Sequence, residues 1–157
     1  MFFPFLLALL SACTKGSVPA NTVTPSTVNK TVILQLVNDA RKKGCQCGTT
    51  WYPSAPAVNW NDQLEKAAYQ HSKDMSVNNY FSHDGKDGSD PGERMTKAGY
   101  NWKTYGENIG VGYNTEQEVV SNWLKSPGHC KNIMSASYKE IGAGKVGKYW
   151  TMNVGSR

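Results

Sequence analysis

Three histidines, one glutamate among glycines and four cysteines hold most of the chemistry that this sequence offers. His83 follows Asn79-Tyr80-Phe81-Ser82, just past a predicted helix, in a loop rich in Gly and Asp. His129 follows the helix break Ser126-Pro127-Gly128. Both are expected on loops, where a rigid scaffold commonly presents functional groups. Glu107 stands in Tyr105-Gly106-Glu107-Asn108-Ile109, at the start of a predicted strand. A carboxylate buried there is costly unless it faces a cation or hydrogen-bond donors. Two imidazoles and a carboxylate with one open position make the ligand set of a catalytic zinc site. The same groups equally make a general acid/base cluster with Glu107 as base. No helical spacing links the three, so sequence alone does not bring them together. His71 lies on an apolar stripe with Leu64, Ala68 and Met75 and is read as a core histidine.

Cys45, Cys47 and Cys130 allow one bridge and leave one thiol over. Two cysteines separated by a single residue close a strained ring, so the bridge is expected from Cys45 or Cys47 to Cys130. Zinc on these three is the weaker alternative, because Cys-x-Cys plus one distant cysteine is poor ligand spacing. Cys130 beside His129 is not read as a nucleophile, since adjacent side chains seldom point at each other. The acidic loop 84–90 lacks EF-hand spacing and a closing glutamate. There is no serine-nucleophile elbow and no phosphate-cradling glycine loop.

The elements that must position these groups are legible in part. Val32, Ile33, Leu36, Val37 and Ala40 predict a helix over 28–43, stopped by Gly44. A second helix opens at residues 61–65, with Asp62 and Glu65 spaced as a capping box, and buries Leu64, Ala67, Ala68, His71 and Met75. Asp90-Pro91-Gly92-Glu93 caps a short third helix that Gly99 ends. Thr115 and Glu118 cap a fourth, which buries Val119, Val120 and Trp123 before the break at Pro127. Strands are expected at 106–113, 140–146 and 148–154, the last two as a hairpin in which Lys148 belongs to the turn. Helices with a mainly antiparallel sheet in this proportion make an α+β layered domain.

The chain of 157 residues suits one domain, and its 39% hydrophobic and 18% charged residues exclude wholesale disorder, coiled coil and collagen. No apolar run reaches the roughly 18–20 residues of a membrane span. A net charge of +5 is too modest to argue for nucleic acid, and none is expected as a partner. Residues 1–12 carry no charge and read as a secretion signal, although the usual basic start is missing. Leu10-Ser11-Ala12-Cys13 is similar to a bacterial lipobox, with Cys13 as the lipid carrier. Residues 13–29, rich in Ser, Thr, Pro and Asn, form the expected tether. The folded domain is expected over 30–157, outside the cytoplasm, on a lipid anchor or secreted.

Taken in order, the segments Ala67 to Met75, Asn79 to His83, Gly106 to Ile109, Trp123 to Met134 and Ile141 to Gly144 resemble the CAP superfamily, in its bacterial secreted branch. The resemblance spans about residues 30–154. It implies a three-layer α-β-α sandwich around a central, mainly antiparallel sheet, with a cleft carrying two histidines and two glutamates. His83, Glu107 and His129 match three of those positions, whereas Ser126 stands where the second glutamate belongs. Glu118 could replace it only if its helix faced the cleft. The resemblance implies divalent-metal binding, usually zinc, and prefers Cys47 as the partner of Cys130, leaving Cys45 over. A bridge of that span contributes on the order of 4 kcal/mol in the chain-entropy model. Function follows less directly than fold. The expected role is an extracytoplasmic binding module for an envelope, lipid or protein ligand. A metal-dependent, peptidase-like hydrolase and a purely structural envelope protein are the alternatives. The sterol-binding loops of larger members have no counterpart here.

Overall fold

The computed structural model describes residues 28–157. The leader, Cys13 and most of the tether lie outside the described residues. Helix α1 (Lys30–Lys43) is followed by a hairpin of β1 (Cys45–Cys47) and β2 (Thr50–Tyr52), then β3 (Asn59–Trp60), α2 (Asp62–Asn78) and α3 (Pro91–Lys97). Strand β4 (Thr104–Val111), α4 (Glu116–Lys125), α5 (Pro127–Met134), β5 (Glu140–Val146) and β6 (Tyr149–Ser156) complete the chain. The main sheet has the order β3-β5-β6-β4, antiparallel except for the β3–β5 pair. Helix α2, with α3 beside it, covers one face, and α1, α4 and α5 pack on the other. This is the α-β-α sandwich that the resemblance implied. No helix among the described residues is long and apolar enough to cross a membrane.

Residues of β6 from Tyr149 to Gly155 are all buried, because both helical layers cover the strand. The largest core joins Ile33 and Val37 of α1 to Val119, Val120 and Trp123 of α4 and to Trp150 and Met152 of β6. The β5–β6 hairpin turns on Gly147, at φ 57, and Lys148. Lys148 is therefore a turn residue, as expected. Helix α2 lies close on β5 because that strand presents Gly142 and Gly144, whose missing side chains leave room for the helix backbone.

Several boundaries differ from the sequence reading. The cap of α2 is Asn61, whose side chain accepts from Gln63 N and Leu64 N, and Asp62 is the first helical residue. Glu65 instead accepts from Trp60 Nε1 and pairs with Lys30. The capping boxes of α3 and α4 are present as expected. Pro127 does not merely break α4. It starts α5, where a residue without an N–H and with fixed φ fits the first turn. The fold also begins slightly earlier than residue 30, since Val28 is buried and Asn29 caps α1.

Candidate functional site

Strand β4 is an edge of the sheet, and its alternation sets up the site. Glu107 turns toward α2 and α3, and Asn108 turns toward α5. Outward carbonyls of this edge are capped by side chains: Tyr138 on Tyr105, Asn132 on Glu107 and Trp123 on Ile109. Those bonds satisfy groups that would otherwise pair with another strand.

Glu107 is buried, and each of its oxygens is engaged. Oε1 accepts from His83 Nδ1 at 2.8 Å, and Oε2 accepts from Arg94 at 2.8 Å. Asn153 lies opposite Glu107 on β6. Its Oδ1 faces Ala68 N, and its Nδ2 then faces Glu107 Oε2 at 3.2 Å. The carboxylate thus meets the cation and donors that its position demanded. Arg94 was not anticipated. Its guanidinium also donates to Ser89 O at 2.6 Å and His83 O at 2.8 Å, fixing the loop that carries His83. The signal for it was indirect: Arg94 is the sole arginine between His83 and Glu107, and only a guanidinium fork serves three acceptors in this way.

His71 is fully buried, as expected of a core residue, yet it borders the site at 3.9 Å from Glu107. Its Nε2 lies 2.9 Å from Ser82 O. A carbonyl only accepts, so Nε2 carries the hydrogen and Nδ1 is the bare nitrogen.

His129 belongs to the first turn of α5, not to a loop. Asn108 fixes that helix by donating to His129 O at 3.1 Å and accepting from Asn132 at 2.9 Å. Cys130 ties it to β1 through the Cys47–Cys130 bridge, with Cα atoms 5.4 Å apart. Buried Arg41 holds its far end by donating to Ile133 O and Ser135 O. His83 and His129 therefore arrive from opposite helical layers around the β4 edge. A cleft of about 390 Å³ opens beside His129, walled by Phe81, Ile109, Tyr113, Trp123 and Ser126, and His83 is not among its walls. Ser126 makes no side-chain cap bond and lines this cleft. Glu118 does not: its carboxylate accepts from Asn114 N and Thr115 N at the start of α4.

Burial, and then the charge of His83, push His129 below the ordinary imidazole value. Burial also lowers His71, partly offset by Glu107. A group whose folded pKa is depressed is protonated first in the unfolded chain. Its contribution is complete above about pH 6.5 and is lost as pH falls toward the folded value. The melting temperature should fall between pH 7 and pH 5, above the pH at which most carboxylates titrate. His129→Gln should lessen that fall, leaving the part that His71 contributes, and a wild-type profile flat over this interval would refute the assignment.

The histidines, Glu107 and Ser126 lie in a region shared with known proteins. A family model described as CAP, the cysteine-rich secretory protein family, matches residues 34–153. The uncharacterized protein YkwD of Bacillus subtilis is 41% identical over 93 residues, covering 58% of this chain and 36% of that protein. The uncharacterized membrane protein YlbC of the same organism is 34% identical over 96 residues, covering 61% and 28%. The chain thus spans about a third of the length of these curated relatives. An extracellular protein containing an SCP domain from Bacillus anthracis superposes with TM-score 0.73 and 30% identity, over 81% of this chain and 40% of that one. An outer surface protein of Borrelia burgdorferi shares the fold with TM-score 0.69 and 20% identity, over 81% and 91%.

Proposed function

The chain belongs to the CAP family of cysteine-rich secretory proteins, and from that premise we propose that it is an extracytoplasmic binding module whose cleft takes a divalent cation on His83 and His129. The observation that carries this reading is the relay Arg94–Glu107–His83. A carboxylate behind an imidazole is the usual support of a metal-bound histidine, fixing its tautomer and orientation. With Nδ1 turned to Glu107, Nε2 is the basic nitrogen of a half-exposed ring.

The proposed donor set is two imidazole ligands with Glu107 behind one of them. It does not close a three-ligand centre, because among the described residues only Cys45, Cys47 and Cys130 gather three ligand atoms within 4.8 Å. Zinc, when bound, would supply a Lewis acid for an oxygen donor of the partner. The chain itself does the positioning. Arg94 holds Glu107, Glu107 orients His83, and Asn108 fixes the backbone at His129. The apolar walls from Phe81, Ile109 and Tyr113 favour an apolar group beside that oxygen, as in an envelope lipid or protein ligand. Both Glu107 oxygens are engaged, which favours binding over a hydrolase that would need this carboxylate as a free base. The extracellular Bacillus anthracis relative and the leader with Cys13 support export, with lipid at Cys13 as the anchor.

Zinc calorimetry on the purified protein tests the reading. One-to-one binding is expected, abolished in His83→Ala/His129→Ala and weakened about 10–100-fold in Glu107→Gln. Binding unchanged by the double substitution, or absent from the wild type near neutral pH, would overturn it.

A further inference from the structure

Cys45 and Cys47 are two residues apart on β1, so the strand sends both side chains to one face. Cys130 of α5 meets them there. Cys47 and Cys130 are bonded, whereas Cys45 is a free thiol. Its Sγ stands 3.6 Å from Cys130 Sγ, in van der Waals contact with the disulfide. All three sulfurs lie within 4.8 Å of one another. A thiol in contact with a disulfide sulfur is the encounter from which thiol–disulfide exchange proceeds.

We propose that Cys45 is a built-in exchange nucleophile, and that Cys130 alternates between Cys47 and Cys45 as its bridge partner. Cys45 gives its proton to solvent and its thiolate attacks Cys130 Sγ. The Cys45–Cys130 bond forms as the Cys47–Cys130 bond breaks. Cys47 departs with the electron pair and takes up a proton. One disulfide and one thiol stand on each side of the step, so no outside oxidant or reductant is needed.

Chain entropy does not choose between the two bridges, because their sequence separations are 83 and 85. Packing therefore sets the balance. Cys47 is 4% exposed and Cys45 is only partly covered. Exchange thus moves the reactive thiol from an accessible position to a covered one. It also changes which residue of β1 anchors α5, one position along from His129.

The test is a time course of N-ethylmaleimide labelling on the full chain at pH 8 without reductant. Peptide mass spectrometry then separates Cys45, Cys47, Cys130 and Cys13. Label is expected on Cys47 as well as Cys45, with a Cys45–Cys130 cross-linked peptide in at least about a tenth of the protein. Label confined to Cys45, with Cys47–Cys130 as the one bridge found, would overturn the proposal. Cys47→Ser provides a second arm. A Cys45–Cys130 bridge is expected in this variant, and free thiols at both positions in a folded variant would equally overturn it.

Discussion

Gly144→Ala is expected to cost more than about 3 kcal/mol, enough to lower the midpoint of urea unfolding by about 1 M or more. A Cβ at Gly144 would stand 2.4 Å from Tyr69 N and Cα and 2.9 Å from Ala68 C. These are backbone atoms of α2, and no rotamer change can move them aside. Gly142 is tighter still, at 2.1 Å from Glu65 N. Relief requires the helix to lift from the sheet. That would break the buried bonds of Ser72 to Gly144 O and Thr151 and open the contact along β5 and β6. Gly128→Ala is the control. It lies in α5 with nothing within 4 Å of the added methyl, and alanine is the better helix former there. That variant should be neutral or slightly stabilised. Equal urea midpoints for Gly144→Ala and wild type would refute the close-packing argument.

The same glycines show what the sequence reveals and what it withholds. Ile141-Gly142-Ala143-Gly144 reads from sequence as a strand segment of the family pattern. Its purpose, a groove for the α2 backbone, appears only once helix and strand are placed. Helix α2 announced itself by Leu64, Ala67, Ala68, His71 and Met75 at helical spacing, all buried as expected. Its cap was misplaced by one residue because Asn61 and Asp62 are both capable caps, and only backbone geometry decides between them. Helix α5 was missed because its eight residues begin with Pro127, which reads as a stop after α4 as readily as a start. His129 was consequently expected on a loop. The two-residue β3 pairs in parallel with β5, a long-range contact that leaves no local period to read. At the site, the demand of a buried Glu107 for donors was clear from its position. Which groups answer it was not, since Arg94 and Asn153 come from a different helix and strand.

Arg94→Met is expected to destabilise the protein by about 3–5 kcal/mol, because it strands the Glu107 carboxylate without its cation. The pair is well covered: the Glu107 side chain is 2% exposed and that of Arg94 is 10%. Solvent screening, which makes most surface ion pairs weak, is therefore small here. For a chain of this size the loss corresponds to roughly 6–20 °C in melting temperature. Charge is only part of the role. Arg94 also holds Ser89 O and His83 O, so its removal loosens the loop that presents His83. Arg94→Lys keeps the charge but cannot reproduce the fork, and it should recover the smaller share of the loss. Glu107→Gln added to Arg94→Met removes the stranded charge. The double variant should therefore be more stable than Arg94→Met alone, a non-additivity that separates an ion pair from two independent contacts. If Arg94 acts only as packing, the two losses will add, and the relay from Arg94 through Glu107 to His83 loses its energetic basis. The proposed zinc site supplies an independent readout. Arg94→Met should weaken binding at the imidazole pair, since His83 would lose both its backbone anchor and a firmly held carboxylate behind its ring.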